Sequence, residues 1–259
     1  MSRQVNRWVN SSVAITAAIF VVSAIIGFAL LPWGQPGHRF TGLWDAICSA
    51  AGLVRASPAN APVVQPSYPM TSVVVGPEML SGASAESIGR GATLALRCTM
   101  CHGARGMSLA NTPNLAGQDP IAIYKQLVDF QTGARKNAIM APVAVGLSES
   151  DMRDLAAYYA YLPRVAAEVS GPAGAPPRIV ANGAPLRSIA PCGACHGTLD
   201  SKAGAGWLAG QPVVYLRAML DAFASGTRHN DIGEQMRNVA RGLTQQEIGA
   251  AVQYYAGHP

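Results

Sequence analysis

Apolar side chains dominate the start of the chain. Between Val13 and Leu31 only Thr16 and Ser23 interrupt them, and residues 8–37 contain no charged side chain. Those nineteen residues, at about 1.5 Å each, approach the thickness of a bilayer's hydrocarbon core. The pattern predicts a transmembrane helix. From Phe40 it changes: Phe40, Leu43, Trp44, Ile47, Ala51 and Val54 recur at the spacing of a short amphipathic helix. That stripe packs on the bilayer surface or the protein's own body, or docks on an integral membrane partner. Helical periodicity returns in Ile121–Thr132, Ser148–Leu162, Val213–Ser225 and Thr244–Ala256. No stretch alternates as a strand does, so the body is expected to be all-α.

The flanks of the apolar run orient it. Arg3 and Arg7 precede it, and Trp8 and Trp33 stand at its two ends, as interfacial anchors do. The positive-inside rule places the N-terminus in the cytoplasm and the rest outside. A cleaved signal peptide has a shorter apolar core and a small-x-small site. Here Leu31-Pro-Trp-Gly-Gln-Pro36 follows, so an uncleaved anchor is expected, with the remainder in the periplasm.

Segments rich in Pro, Gly, Ser and Ala cover residues 57–86 and 163–177 and read as linkers. They divide the chain into an anchor (1–33), an amphipathic helix with linker (34–86), and two domains (87–165 and 177–259). Of the net charge of +5, residues 1–75 hold +3, with four Arg against Asp45. No block of Lys or Arg occurs, so nucleic-acid binding has no support.

The two domains repeat one order of landmarks. Cys98-Thr-Met-Cys101-His102-Gly matches Cys192-Gly-Ala-Cys195-His196-Gly. Leu115-Ala-Gly-Gln118 matches Leu208-Ala-Gly-Gln211, and Phe130 matches Phe223. Gly133-Ala-Arg135-Lys-Asn137 matches Gly226-Thr-Arg228-His-Asn230. Met140 and Met236 follow, and each is succeeded seven residues later by a leucine, Leu147 or Leu243. Ser148 and Thr244, each with an acid three residues on, read as helix N-caps. Tyr158-Tyr159 and Tyr254-Tyr255 close the copies.

The chemistry lies in the paired Cys-x-x-Cys-His. This spacing sets two thiols one helical turn apart to form thioethers with haem, while the histidine binds iron. A zinc ribbon pairs its Cys-x-x-Cys units over about 15–20 residues, whereas these stand 94 apart. A redox dithiol motif needs a βαβ setting that is absent. Two covalently attached haems c are therefore expected, on Cys98 and Cys101 and on Cys192 and Cys195, with His102 and His196 as proximal ligands. Covalent haem also supplies the core that a domain of about 80 residues lacks.

The sixth ligand decides what the iron does. A methionine thioether raises the potential and closes the site, giving an electron carrier. Met140 follows His102 by 38 residues and Met236 follows His196 by 40. Their shared repeat position makes them the distal candidates, with His229 a rival for the second. Met152 and Met219 fall inside helical stretches and read as core. Pro113, or Gly206 in the second copy, offers a carbonyl to the free nitrogen of each proximal histidine. Leu115, Leu208, Phe130 and Phe223 pack round haem or form core. Arg135 and Arg228 pair with haem propionates or face solvent. Cys48, alone near the amphipathic stripe, reads as a small buried hydrophobe.

On these motifs residues 87–257 resemble the c4-type dihaem cytochromes, two class I-like domains in tandem. The resemblance implies periplasmic electron transfer toward a terminal oxidase, with two haems close across a pseudo-twofold interface. The expected role is one-electron transfer from a quinol-oxidising complex. A fixed dihaem subunit of a membrane oxidase or dehydrogenase complex is the alternative, and a dihaem enzyme a third. The second copy departs from the first. It has three extra residues before Met236, Arg237-Asn after Met236 where Met140 has Ala-Pro, and Gly206 in place of Pro113.

Overall fold

The computed structural model describes residues 2–27, 68–164, 174–197 and 202–257, without the side chains of residues 2–6 and Glu78. The amphipathic stripe Phe40–Val54, Cys48, His38 and His258 lie outside the described residues, as do parts of both linkers. The chain forms two compact units, Met1–Gln65 and Pro66–Pro259.

In the first unit, helix α1 (Ser2–Ile25) carries the apolar run as far as Ile25. It is long and apolar enough to cross a membrane. Ser12 Oγ donates to Trp8 O and Thr16 Oγ1 to Ser12 O, both at 2.9 Å. These two hydroxyls are thus satisfied within the helix.

The second unit is helical, and among its described residues the sole extended pairing is an isolated antiparallel bridge between Ala184 and Ile189. Its first half contains α2 (Ala85–Ala95), α3 (Thr99–His102), α4 (Pro120–Thr132), α5 (Met140–Val145) and α6 (Glu149–Tyr161). Its second half contains α7 (Arg178–Ala181), α8 (Val213–Ser225), α9 (Gln235–Gly242) and α10 (Gln245–Gly257).

Local chemistry sets the helix ends. Asp119 Oδ1 accepts from Ala122 N at 2.7 Å and Pro120 opens α4, a pre-organised start. Gly133 (φ 79°) and Gly226 (φ 75°) stop α4 and α8 in left-handed conformation, where a side chain would be strained. Ser148 and Asp151 form a reciprocal capping box: Ser148 Oγ accepts from Asp151 N, and Asp151 Oδ2 from Ser148 N. Thr244 and Glu247 do the same for α10.

Each half has its own apolar core. In the first, Ile123, Leu127, Leu147, Met152, Leu155 and Tyr159 are buried together. In the second, Ile179, Val180, Leu216, Ile248, Val252 and Tyr255 are. The landmarks are tied alike in both halves. Gly117 N donates to Tyr159 O and Gly210 N to Tyr255 O, each at 2.8 Å. The Leu-Ala-Gly-Gln segment is therefore pinned to the closing helix twice over.

Candidate functional site

The two Cys-x-x-Cys-His segments fold as short turns. Cys98 ends a 3-10 turn, and Cys101 and His102 lie on α3. Cys192 begins a 3-10 turn, Cys195 caps it and His196 follows. None of these four motif cysteines is in a disulfide. Burial pushes the Cys98 thiol up, and the Cys192 thiol up to about 11. A dithiol oxidoreductase needs the opposite shift.

The two imidazoles are oriented in the same way. His102 Nδ1 lies 2.9 Å from Pro113 O, and His196 Nδ1 lies 2.7 Å from Gly206 O. A carbonyl only accepts, so each Nδ1 carries the proton and each Nε2 keeps its lone pair. Burial holds both pKa values below the ordinary value, which keeps the rings neutral. Two cysteines outside any disulfide and an imidazole with its Nε2 lone pair are the donor set that a covalent haem requires, so the residues fit that group. The glycine after each histidine is obligatory. A Cβ on Gly103 (φ 78°) would fall 1.9 Å from Met107 O, and one on Gly197 (φ 93°) 2.0 Å from the Trp207 ring.

The two methionines sit differently. Met140 opens α5, is half-buried, and packs with Cys98 and Leu115 against the first core. Asn137 Oδ1 accepts from Ile139 N and Met140 N, at 3.0 and 2.9 Å, and fixes that turn. Cys192 and Leu208 border the second core, and half-buried Met236 does not join them. Its neighbour Arg237 is only 2% exposed. Arg237 Nε donates to Asp231 Oδ1 at 2.7 Å and Arg237 N to Asp231 Oδ2 at 2.9 Å. Arg237 Nη1 bonds the Tyr68 hydroxyl. The extra residues before Met236 make a turn through Gly233 and Glu234, both with positive φ.

His229 is buried against the Tyr68 ring, with centroids 4.0 Å apart. Its Nδ1 lies 3.2 Å from Gly226 O, and its Nε2 has no partner among the described residues. Met219, expected in the core, is half-buried and accepts from Arg135 Nη2 at 3.2 Å. Its residue type and helical setting did not reveal this polar neighbour.

Between the halves runs a polar seam that the sequence left unassigned. Gln118 Oε1 accepts from Trp207 N (2.9 Å) and Gln118 Nε2 donates to Trp207 O (2.7 Å). Gln211 Oε1 accepts from Asn114 N (2.9 Å) and Gln211 Nε2 donates to Asn114 O (2.8 Å). Asn114 and Trp207 hold the same repeat position, just before Leu115 and Leu208. The doubled Leu-Ala-Gly-Gln was the available signal. Beside these bonds, Lys125 Nζ reaches Asp129 Oδ2 and Asn230 O. Arg135 and Arg228 are half-buried there, stacked on Phe130 and Phe223 at 4.6 and 4.3 Å.

Comparison with known proteins places these features in context. The cytochrome c family model matches residues 88–162. The thiosulfate dehydrogenase electron acceptor of Stutzerimonas stutzeri (strain A1501) is 40% identical over 170 residues, covering 62% of this chain and 79% of that protein. Cytochrome c4 of Thiocapsa roseopersicina is 37% identical over 175 residues, covering 62% and 86%. The crystal structure of reduced recombinant cytochrome c4 from Pseudomonas stutzeri superposes with a TM-score of 0.58 at 28% identity, covering 69% of this chain and all of that one.

Proposed function

From the premise that this chain belongs to the cytochrome c4 family of electron-transfer cytochromes, with two covalently attached haems c, we propose that it relays single electrons at the outer face of a membrane. Cys98 and Cys101 hold one haem and Cys192 and Cys195 the other. His102 and Met140 would ligate the first iron, and His196 and Met236 the second. When bound, haem supplies a one-electron ferric–ferrous couple.

The chain's own residues do the rest. Pro113 O and Gly206 O hold the proximal imidazoles in one tautomer and orientation. The methionine thioethers, once bound to iron, would favour the ferrous state and exclude small molecules. Arg135 and Arg228 offer donors to haem carboxylates at the seam. The observation that carries this reading is the identical Nδ1–carbonyl bond at both histidines. The haem-binding halves comprise residues 87–165 and 177–259. Helix α1 anchors them to the inner membrane, with the N-terminus cytoplasmic and both halves periplasmic.

The donor is a quinol-oxidising complex and the acceptor a terminal oxidase, with a stable dihaem subunit of such a complex as the variant arrangement. The relative named as a thiosulfate dehydrogenase electron acceptor favours a second donor, a periplasmic thiosulfate dehydrogenase. Stopped-flow mixing of the oxidised protein with each reduced donor separates these. Reduction within milliseconds by one donor identifies it, and slow reduction by both refutes both pathways. Carbon monoxide that bound the reduced protein at either haem would refute a closed His/Met carrier.

A further inference from the structure

We infer that each seam glutamine tunes the proximal histidine of the opposite half: Gln118 acts on His196, and Gln211 acts on His102. The inference rests on the assignment of those histidines as iron ligands.

The geometry is specific. Gly206 C=O and Trp207 N–H belong to one peptide group. Its oxygen accepts from His196 Nδ1 at 2.7 Å, while its N–H donates to Gln118 Oε1 at 2.9 Å. Pro113 C=O and Asn114 N–H likewise form one peptide group. Its oxygen accepts from His102 Nδ1 at 2.9 Å, while its N–H donates to Gln211 Oε1 at 2.9 Å. Each glutamine also donates through Nε2 to the carbonyl of the residue it holds. That second bond fixes which end of the amide is oxygen, because an N–H can meet only the acceptor and a carbonyl only the donor.

A peptide whose N–H is bonded carries more negative charge on its oxygen. Hydrogen bonds in such a chain strengthen one another by roughly 10–30% each. A stronger acceptor draws the Nδ1 proton, makes the imidazole more basic, and strengthens its donation to iron. Ferric iron gains most, so the potential falls. Gln118 and Gln211 are thus positioning residues that act across the seam. Gln211 is 4% exposed and its bond to Asn114 is fully buried, whereas the Gln118 bond is partly exposed. The effect of Gln211 on the first haem is therefore the larger.

The test is potentiometric titration of the holoprotein and of Gln118→Leu and Gln211→Leu, with the two haems resolved by their paramagnetic methyl resonances. Gln118→Met and Gln211→Met provide neutral variants of similar length should a leucine variant fail to fold. The expected signature is crossed. Loss of Gln118 raises the midpoint of the His196 haem and speeds exchange of the His196 Nδ1 proton, with the His102 haem unmoved. Loss of Gln211 does the converse, with a larger shift. Shifts confined to the glutamine's own half, equal shifts of both haems, or no shift with both haems still low-spin overturn the inference. His196→Ala separates the two levels. Unchanged low-spin spectra at both haems in that variant would remove the ligand assignment itself.

Discussion

Arg135 and Arg228, one from each half, both donate to the single Oε1 of Gln126, at 2.7 and 3.2 Å. Two like charges meet on one neutral acceptor, with Lys125 close by. The carboxylate of this network, Asp129, is engaged by Lys125 and Asn230. Burial first, and Arg135 next, push the Arg228 guanidinium down to about 9. Three cations thus gather round one protein carboxylate, and Arg228, although the haem carboxylates would screen it in part, favours the ferrous state on both sides. Arg228→Met is expected to lower the midpoints of both haems, by an amount on the order of 1 kcal/mol per electron. Potentiometry at low and moderate salt measures it.

The Met236 segment depends on a buried ion pair. Asp231 holds both the backbone and the guanidinium of Arg237, and the two side chains are 3% and 2% exposed. Asp231→Ala leaves the buried Arg237 with only the longer Glu234 contact, at 3.8 Å, and the Tyr68 hydroxyl, a loss of about 3 kcal/mol. The expected result is a lower melting temperature together with loss of Met–iron absorption from one haem only. If both haems keep that absorption, Asp231 does not position Met236.

Helix α2 crosses α6 at a glycine. A Cβ on Gly91 would lie 2.0 Å from Asp154 O and 2.7 Å from Tyr158 Cβ. Asp154 also takes a bidentate pair from Arg90, at 2.6 and 2.9 Å, and accepts from Ser87. Gly91→Ala must push the helices apart, at a cost of about 3 kcal/mol. Gly89→Ala, two residues away with open space around it, is the control and should not destabilise. Thermal melts of the two variants check this.

Acid stability draws on the cap of α10. The hydrogen bond from Arg187, then the backbone of Thr244, hold the Glu247 carboxyl down at about 2, against an ordinary 4.5. A carboxylate depressed in the fold stabilises it above the unfolded value. That contribution is lost as pH falls from about 4.5 through about 2. Glu247 is partly exposed, so screening leaves about 1 kcal/mol. Glu247→Gln should melt lower than the parent at pH 7, and the difference should vanish near pH 2. A constant difference across that range would contradict the linkage.

Much of the fold was legible because the relevant physics is local. The apolar stripes of α4, α6, α8 and α10 and the caps Ser148 and Thr244 are written in adjacent residues, and these helices fall within a residue or so of their expected bounds. Helix α2 is less legible. Gly89 and Gly91 weaken its propensity, and its packing on α6 comes from residues more than sixty positions away. The carbonyls of Pro113 and Gly206 were readable from the repeat. The role of Gln118 and Gln211 was not, because each meets its partner across the seam, 89 and 97 residues away in sequence. Buried Arg237 was hidden for the same reason. Its partner Tyr68 lies in a Pro- and Ser-rich stretch that reads as linker.

The central claim is that both irons carry a histidine and a methionine. The direct measurement is the ferric Met–iron charge-transfer band of the holoprotein, recorded for the parent, Met140→Ala and Met236→Ala. The account predicts a band of two-haem intensity in the parent, halved in each variant, with carbon monoxide then binding one reduced haem. A band left intact by Met236→Ala, and lost instead in His229→Ala or Met219→Ala, would contradict it.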